Sequence, residues 1–509
     1  MHRYRVYVAF TLVKRFKSTK ENIDTTYYIP PKTFRPAYYH PLKPFKRKPP
    51  DPFPPFPNEG DASGMGPRLY DYQVMNELVR SLPSASERID FVNPYEREFT
   101  KREKRFHRPW QAQLLKTRKA WRIKSFPNYY DPLNFYQYIT KTRCIEGLNQ
   151  WYDESIPMLT EDFENRLSEM LKLHLESSNV DSEQERTTRI LRSLLDLLLE
   201  NMIQSGMYSC LAQQRISHAP RCESFWIRCG FDALYENVST QRHRGDNRAK
   251  LGELAFVMRD SFSTQLRTKH PLKPLMSFWD KEVVEPLFDP SFNIKDELIY
   301  SPAMFGMMAD ADPLWQCPGY EPDCGEEYKY GQIGFKQFND LDIYCKRWKV
   351  KGEEEEIVRN DCLRASAVVS LFSWLNAQAH ALGFTQYNDI EYPFVSQLVL
   401  SNGKQFFFAI AQLNTLLINV DIQGIINKRS NLCYVEGPLN LYDRYDCDKG
   451  IFEFGKKNDT DAESVNNFNP HVIGRLMQML VKDMPVNKEM TYDSMKMSKY
   501  IPVTFDDIP

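Results

Sequence analysis

Residues 364–418 constrain the fold of this chain most tightly. "RASAVVSLFSWLNAQAHALGF" (364–384) spaces Ala365, Val368, Val369, Phe372, Leu375, Ala379 and Leu382 at helical intervals. Gly383 then stands where a helix C-cap glycine belongs. "YPFVSQLVLSNGKQFFFAIAQLNTLLI" (392–418) places two apolar, β-rich runs around Ser401-Asn402-Gly403-Lys404. Asn-Gly is a strong hairpin signal because both residues tolerate positive φ. A helix leading into a hairpin implies an α+β fold of mixed helices and antiparallel strands. The stretch contains no nucleophile elbow, paired acids or ligand cluster.

The flanking sequence extends the same pattern. In 159–204, Phe163, Leu167, Met170 and Leu171 make one helical stripe. Ile190, Leu191, Leu194, Leu195, Leu198 and Met202 make another, across the turn and N-cap residues of "ESSNVDSEQE". "SFWIRC" reads as a strand, and "NPHVIGRLMQMLVKDM" (469–484) as a last helix with Val472, Leu476, Met479 and Leu480 inward. "KGEEEEIVRND" (351–361) reads as a solvated acidic lead-in to the helix at 364. Residues 97–124 contain "WQAQLLKTRKAWRIK", rich in helix formers, and are expected to be helical.

Charge is distributed unevenly. The net charge is −1, yet residues 1–50 carry 12 Lys/Arg against 2 Asp/Glu, and residues 97–124 carry 11 against 2. The rest of the chain therefore holds −20. A mildly acidic body with two basic segments is the footprint of a protein that threads polyanion and turns its body to protein or solvent. Eleven prolines fall within 30–57, interleaved with aromatics and with Lys46-Arg47-Lys48, which favours extended geometry over helix. Such a segment suits stacking and pairing along RNA, or serves as a plain spacer. Lys116, Lys119 and Arg122 recur at helical spacing and would line one phosphate track, although basic helices also bind acidic protein or anionic lipid. Arg242 and Arg244, beside His243 and Arg248 around a Gly-Asp turn, suit phosphate contact or an exposed polar turn.

Compartment and chemistry can be read from the same residues. "MHRYRVYVAFTLVKRFKSTK" has six Lys/Arg, no acid, and Val6, Phe10 and Val13 on one stripe, which reads as a mitochondrial transit peptide and places the chain in the matrix. The alternative is an ordinary basic tail. Ten scattered cysteines form no disulfide framework, and no apolar run approaches the ~20 residues that cross a bilayer. The expected organisation is a transit peptide at 1–16 and an extended Pro-rich basic arm at 17–94. The α+β body spans 95–485, with its signature helix–hairpin at 360–420, and a C-terminal tail spans 486–509. GxSxG, GxxxxGK[ST], HExxH and GxGxxG are all missing from the sequence. Cys210, His218, Cys222 and Cys229 are the nearest approach to a metal set, but lack a tight C-x₂₋₄-C knuckle, so buried thiols are the expectation. Cys317 and Cys324 flank a turn that brings them near each other, with a bridge disfavoured in a reducing compartment. His380 reads as a packed helix residue rather than a base, and the acid runs at 321–327 and 353–356 as solvated faces. No cofactor and no catalytic residue is expected.

The helix–hairpin residues carry a family resemblance. Arg364-Ala365, Ser370-Leu371-Phe372, Trp374, Ala377-Gln378-Ala379, Gly383-Phe384, Pro393-Phe394-Val395-Ser396-Gln397, Gly403-Lys404 and Gln412-Leu413-Asn414-Thr415-Leu416 are the matching positions. The segment resembles the signature of the mitochondrial ribosomal proteins historically named small-subunit protein thirty, or programmed cell death protein nine. "FYQYITKT" (135–142), "RCESFWIRCG" (221–230), the arginine turn at 242–248 and the closing helix echo it more weakly, and residues 1–94 show none of it. The resemblance implies a structural, non-enzymatic constituent of the large mitoribosomal subunit. Its implied partners are mitochondrial rRNA and other large-subunit proteins, especially the related large-subunit protein thirty-seven. A matrix RNA-binding assembly or processing factor is the alternative.

Overall fold

The computed structural model describes residues 77, 79–92, 120–124, 132–152, 159–176, 182–206, 213–228, 254–289, 308–310, 317–320, 326–338, 340–418, 421–422, 425–447, 449–455 and 467–483. The described residues all fall in one unit, Arg68–Arg97 with Leu115–Pro509. In chain order, helix α1 (Ala85–Val92) precedes strand β1 (Ala120–Ile123), and α2 (Pro132–Thr140) runs into β2 (Thr142–Glu146). A helical pair follows, α3 (Phe163–Glu176) and α4 (Glu183–Gln204). Then come β3 (Gln214–His218), β4 (Arg221–Arg228), β5 (Leu254–Ser261) and β6 (Thr264–Thr268). The short α5 (Lys281–Val284) leads to β7 (Met308–Asp310), β8 (Cys317–Pro318) and β9 (Tyr330–Gln337). Helices α6 (Asp342–Trp348) and α7 (Glu353–Ala381) connect to β10 (Phe394–Ser401) and β11 (Gln405–Leu413). The chain continues through β12 (Asp421–Ile422), β13 (Ile425–Ile426) and β14 (Asn431–Asn440). It closes with β15 (Arg444–Asp446), β16 (Ile451–Glu453) and α8 (Pro470–Val481).

Two sheets enclose one helix. The larger has the order β2-β14-β11-β10-β9-β6-β3, and the smaller β7-β1-β5-β4-β8. Most pairings are antiparallel, but β9/β10, β2/β14 and β1/β5 are parallel. The β9/β10 pair needs a crossover, which α6 and α7 supply. Helix α7 packs against strands of both sheets. Its residues 365–380 are all buried, including Ser366, Ser370, Ser373, Asn376 and Gln378. Sequence periodicity alone reads this helix as one-sided, whereas it has no exposed face along that length. α3, α4 and α8 cover the opposite side of the larger sheet, where Leu167, Leu194, Val399, Phe408 and Leu476 share a core.

That arrangement explains the unbroken apolar strands. On β11, Phe407, Ala409 and Ala411 join the α7 core while Phe406, Phe408 and Ile410 join the outer helical core. A strand buried on both faces loses the polar alternation of a half-exposed one. The expected hairpin is present, with Ser401 opposite Phe406. Its turn differs in detail. Gly403 takes φ +92°, but Asn402 does not adopt positive φ. Asn402 contributes instead through its Oδ1, which accepts from Lys404 N at 3.0 Å and Gln405 N at 2.7 Å.

Local signals set the helix ends. Ser182 Oγ caps α4 by accepting from Glu185 N at 3.3 Å. Asn469 caps α8 by accepting from His471 N at 3.0 Å, with Pro470 opening the helix. At the end of α7, Gly383 holds φ +91° and donates to His380 O, while Phe384 donates to Ala379 O. This is a Schellman closure, and it confirms the capping role of Gly383. The acidic lead-in at 353–361 is itself helical, because α7 begins at Glu353 and its four glutamates favour the positive end of the helix dipole.

Two expectations need correction. Ala120-Trp121-Arg122-Ile123 is strand, not helix, since it pairs in parallel with β5 and antiparallel with β7. Trp and Ile suit a pleated, half-buried surface, and the pairing overrides the helix propensity of the residues before them. Within the span read as an extended arm, residues 79–92 form packed structure. Val79 and Ile89 are buried with Ala120, Phe225 and Val257, and Arg88 Nη1 donates to Gly383 O at 2.9 Å.

Candidate nucleic-acid interface

Arg122 is the one RNA-contact candidate among the described residues. Its side chain is exposed on β1, between buried Ala120 and Ile123. Lys46, Arg47, Lys48, Lys116, Lys119, Arg242 and Arg244 lie outside the described residues. The helical register linking Lys116 and Lys119 to Arg122 does not reach Arg122, because a strand turns successive side chains to opposite faces.

Several cations inside the body are committed to its own structure. Arg228 is 1% exposed, donates to Tyr138 O and Ile418 O at 2.8 Å each, and lies over the Tyr138 ring. Arg475 Nε donates to Glu436 Oε2 at 2.8 Å, with its guanidinium over Tyr152. Lys336 Nζ meets Asp260 Oδ1 and donates to Ser370 Oγ at 2.8 Å. Burial lowers the Lys336 pKa, and the Asp260 carboxylate opposes that shift. Sequence reading passed over these residues. Their signal was available: each is a cation within a largely apolar run, such as "SFWIRC" or "GQIGFKQF". A buried charge of this kind requires an internal partner.

Of the candidate chemical residues, His380, Cys222 and Cys317 are buried in the body. His380 is buried against Phe225, with Nδ1 2.9 Å from Asn376 O. Burial brings its pKa down to about 4, so it stays neutral near neutral pH. Its Nε2 has no hydrogen-bond partner among the described residues, as a packed histidine rather than a positioned base. Cys222 on β4 is a buried free thiol, its pKa pushed well up by desolvation. His218 on β3 is exposed and meets Thr264 Oγ1 at 3.1 Å, while Cys210 and Cys229 lie outside the described residues. Among the described residues, no group of three or more His, Cys, Asp or Glu is placed to hold a metal ion. Cys317 is a buried thiol, its Sγ donating to Tyr320 O at 2.8 Å, and Cys324 is not among the described residues.

Acidic groups dominate one open groove. A space of about 500 Å³ lies between α6, α7 and the hairpin turn, lined by Asp340, Asp342 and Glu356 with Leu341, Phe338 and Pro438. Arg359 at its wall is already paired with Asp342 at 2.7 Å and Glu355 at 2.9 Å. Glu353, Glu354 and Glu356 are exposed, which agrees with the solvated reading of that run. Such a surface repels a phosphate backbone and suits protein contact. Among the described residues, no helix is long and apolar enough to cross a membrane.

Among the described residues the architecture offers a buried structural core and charged surfaces. The family described as mitochondrial 28S ribosomal protein S30 (PDCD9) matches residues 30–484. The match begins within the proline-rich arm, so the likeness extends well beyond the signature helix–hairpin and into the 1–94 span where the sequence motifs alone showed none. Covering most of the sequence, it shows that this chain belongs to the PDCD9 family of mitochondrial ribosomal proteins.

Proposed function

We propose that this protein is a structural constituent of the large mitoribosomal subunit, holding rRNA through its basic segments and neighbouring proteins through its acidic body. Family membership supplies the ribosomal setting, although the family description carries a small-subunit name. The large-subunit placement rests on the resemblance of the 364–416 signature. The observation that carries the division of labour is charge: 11 Lys/Arg against 2 Asp/Glu in 97–124, beside a mildly acidic body. Arg122, exposed on β1, together with Lys46, Arg47, Lys48, Lys116, Lys119, Arg242 and Arg244, supplies the proposed phosphate contacts. The related large-subunit protein thirty-seven is the proposed protein neighbour.

In this reading the chain enters the mitochondrial matrix and is cleaved near Arg15-Phe16, where the basic stripe ends. Mature protein beginning at Met1 would contradict the cleavage. Gradient sedimentation of mitochondrial ribosomes, split into subunits at low magnesium, tests the placement. Stable migration with the large subunit is the expected result. Migration with the small subunit overturns the placement, and recovery only with immature particles identifies an assembly factor instead.

A further inference from the structure

The smaller sheet turns one face to α7 and the other away from it. Ile123, Trp226, Phe256 and Met258 join the α7 core, whereas Ala120, Phe225 and Val257 pack on the far face with Val79 and Ile89. Strand register fixes which charged residues share that far face, because side chains two positions apart stand on one side. Arg122 of β1 lies beside Val257 of β5, which lies beside Phe225 of β4. Two positions along, Arg259 of β5 lies beside Glu223 of β4, and beyond them Ser261 lies beside Arg221. Lys124, two residues past Arg122, is exposed as Arg122 is.

The charges along these three strands do not cancel. Glu223 serves two guanidinium groups at once. It accepts from Arg221 Nε at 3.1 Å and Nη2 at 3.3 Å, and lies 3.8 Å from Arg259 Nε. Arg122, Lys124, Arg221 and Arg259 thus stand against that one carboxylate. Asp260, between Arg259 and Ser261, points the other way and is held by Lys336. Asp310 of β7 stands opposite Ala120, at the apolar end of the face. The segment that covers this end carries Glu77, Glu87 and Asp90 with Arg80 and Arg88, which nearly cancel.

We infer that the far face of the smaller sheet, through Arg122, Lys124, Arg221 and Arg259, is a docking surface for the sugar–phosphate backbone of RNA. This rests on the ribosomal reading and deepens it. The basic segment 97–124 runs directly into β1, and the sheet adds two arginines from distant stretches of sequence to the same track. Charge complementarity selects the occupant. Neighbouring strands are about 5 Å apart, so the cations form a compact array, and a guanidinium meets phosphate oxygens as a two-point fork. Trp121 and Trp226 pack towards α7 and Phe225 is buried, so the face meets phosphates and not bases.

Binding of the full chain to a fluorescent RNA hairpin of arbitrary sequence, measured across KCl concentrations, tests the face. Arg221 is the informative position, since it lies outside the basic segments and its side chain is 46% exposed. Arg221→Gln is expected to reduce the magnitude of the salt slope by about 0.7–0.9, and Arg221→Gln/Lys124→Gln by about twice that. Arg221→Lys keeps the charge and should retain the parental slope. All three variants should melt as the parent does, because an exposed ion pair carries little stability. A parental slope for Arg221→Gln overturns the inference. If Lys116→Glu/Lys119→Glu then still weakens binding, the ribosomal reading stands without this face. In purified mitochondrial ribosomes, Lys124 joined to RNA by 2-iminothiolane and ultraviolet light supports the face. Lys124 joined instead to an acidic neighbouring protein makes the face a protein interface and overturns the inference. A chain that shows the Arg221-dependent slope but is missing from sedimented ribosomes overturns the ribosomal placement and leaves the RNA face standing.

Discussion

Lys336 on β9 and Asp260 on β5 join the two sheets across the layer that contains α7. Their side chains are only 2% and 1% exposed, and Ser370 of α7 accepts a further hydrogen bond from the lysine. Lys336→Met would leave the Asp260 carboxylate buried without its cation. Removing one partner of a buried pair typically costs about 3–5 kcal/mol, whereas replacing both with apolar groups of similar volume is often neutral. Urea denaturation should show a large loss for Lys336→Met and recovery of most of it in Lys336→Met/Asp260→Leu. Equal stability of the single variant and the parent would refute this role.

His380 should make stability fall with acidity. Its ordinary pKa of 6.5 is brought down to about 4 by burial. The folded pKa lies below the unfolded one, so between these values the unfolded chain binds more protons. The contribution is fully present above pH 6.5 and is lost as pH falls through about 4. The total is about 3 kcal/mol. His380→Gln should lack this component, and the difference between the two proteins' stability curves measures it. Parallel curves from pH 7 to 4 would contradict the burial effect.

Phe372 lies in the layer between the sheets, with its ring edge-on to Trp226 at 5.1 Å and 78°. Being 2% exposed, it cannot lose its ring without leaving a cavity. Phe372→Ala should cost about 3–5 kcal/mol in a two-state denaturation experiment. A change below about 1 kcal/mol would indicate a site that collapses freely.

Gly403 should tolerate no side chain at the hairpin turn. Its φ of +92° disfavours L-residues, and an added Cβ would stand 3.2 Å from Ile190 Cδ1 of α4. Gly403→Ala should lower stability by about 1–2 kcal/mol. Asn402→Gly, which deletes the carboxamide serving two turn amides, should also destabilise. A thermal melt of each variant decides the two points separately.

Charge reversal should reveal the proposed phosphate contacts. Lys116→Glu/Lys119→Glu/Arg122→Glu is expected to weaken association with the mitochondrial ribosome without lowering the melting temperature of the body. Each lost phosphate contact should reduce the magnitude of the salt slope, d log K/d log[salt], by about 0.7–0.9. An unchanged slope accompanied by loss of a protein cross-link would instead make these residues a protein interface.

The sequence by itself determined the features that depend on residues a few positions apart. Gly383 closes α7, Ser182 and Asn469 open α4 and α8, and Gly403 turns the hairpin. Each closes or caps backbone groups nearby in the chain, so the identity of one residue is enough to signal it. The apolar stripes of α3, α4 and α8 were equally legible, because one face of each meets a core.

Tertiary structure decided the rest. Whether α7 keeps an exposed face or is buried all round depends on β4, β5 and β8, which come from distant stretches of sequence and roof it on the second side. Ala120–Ile123 becomes strand only because β5 and β7 provide partners for its backbone. Lys336 looks like a surface lysine until Asp260, 76 residues earlier, is brought against it. Pairing and burial are long-range relationships: a strand's hydrogen bonds and a buried charge's partner are supplied by other segments, and local propensity carries no record of them.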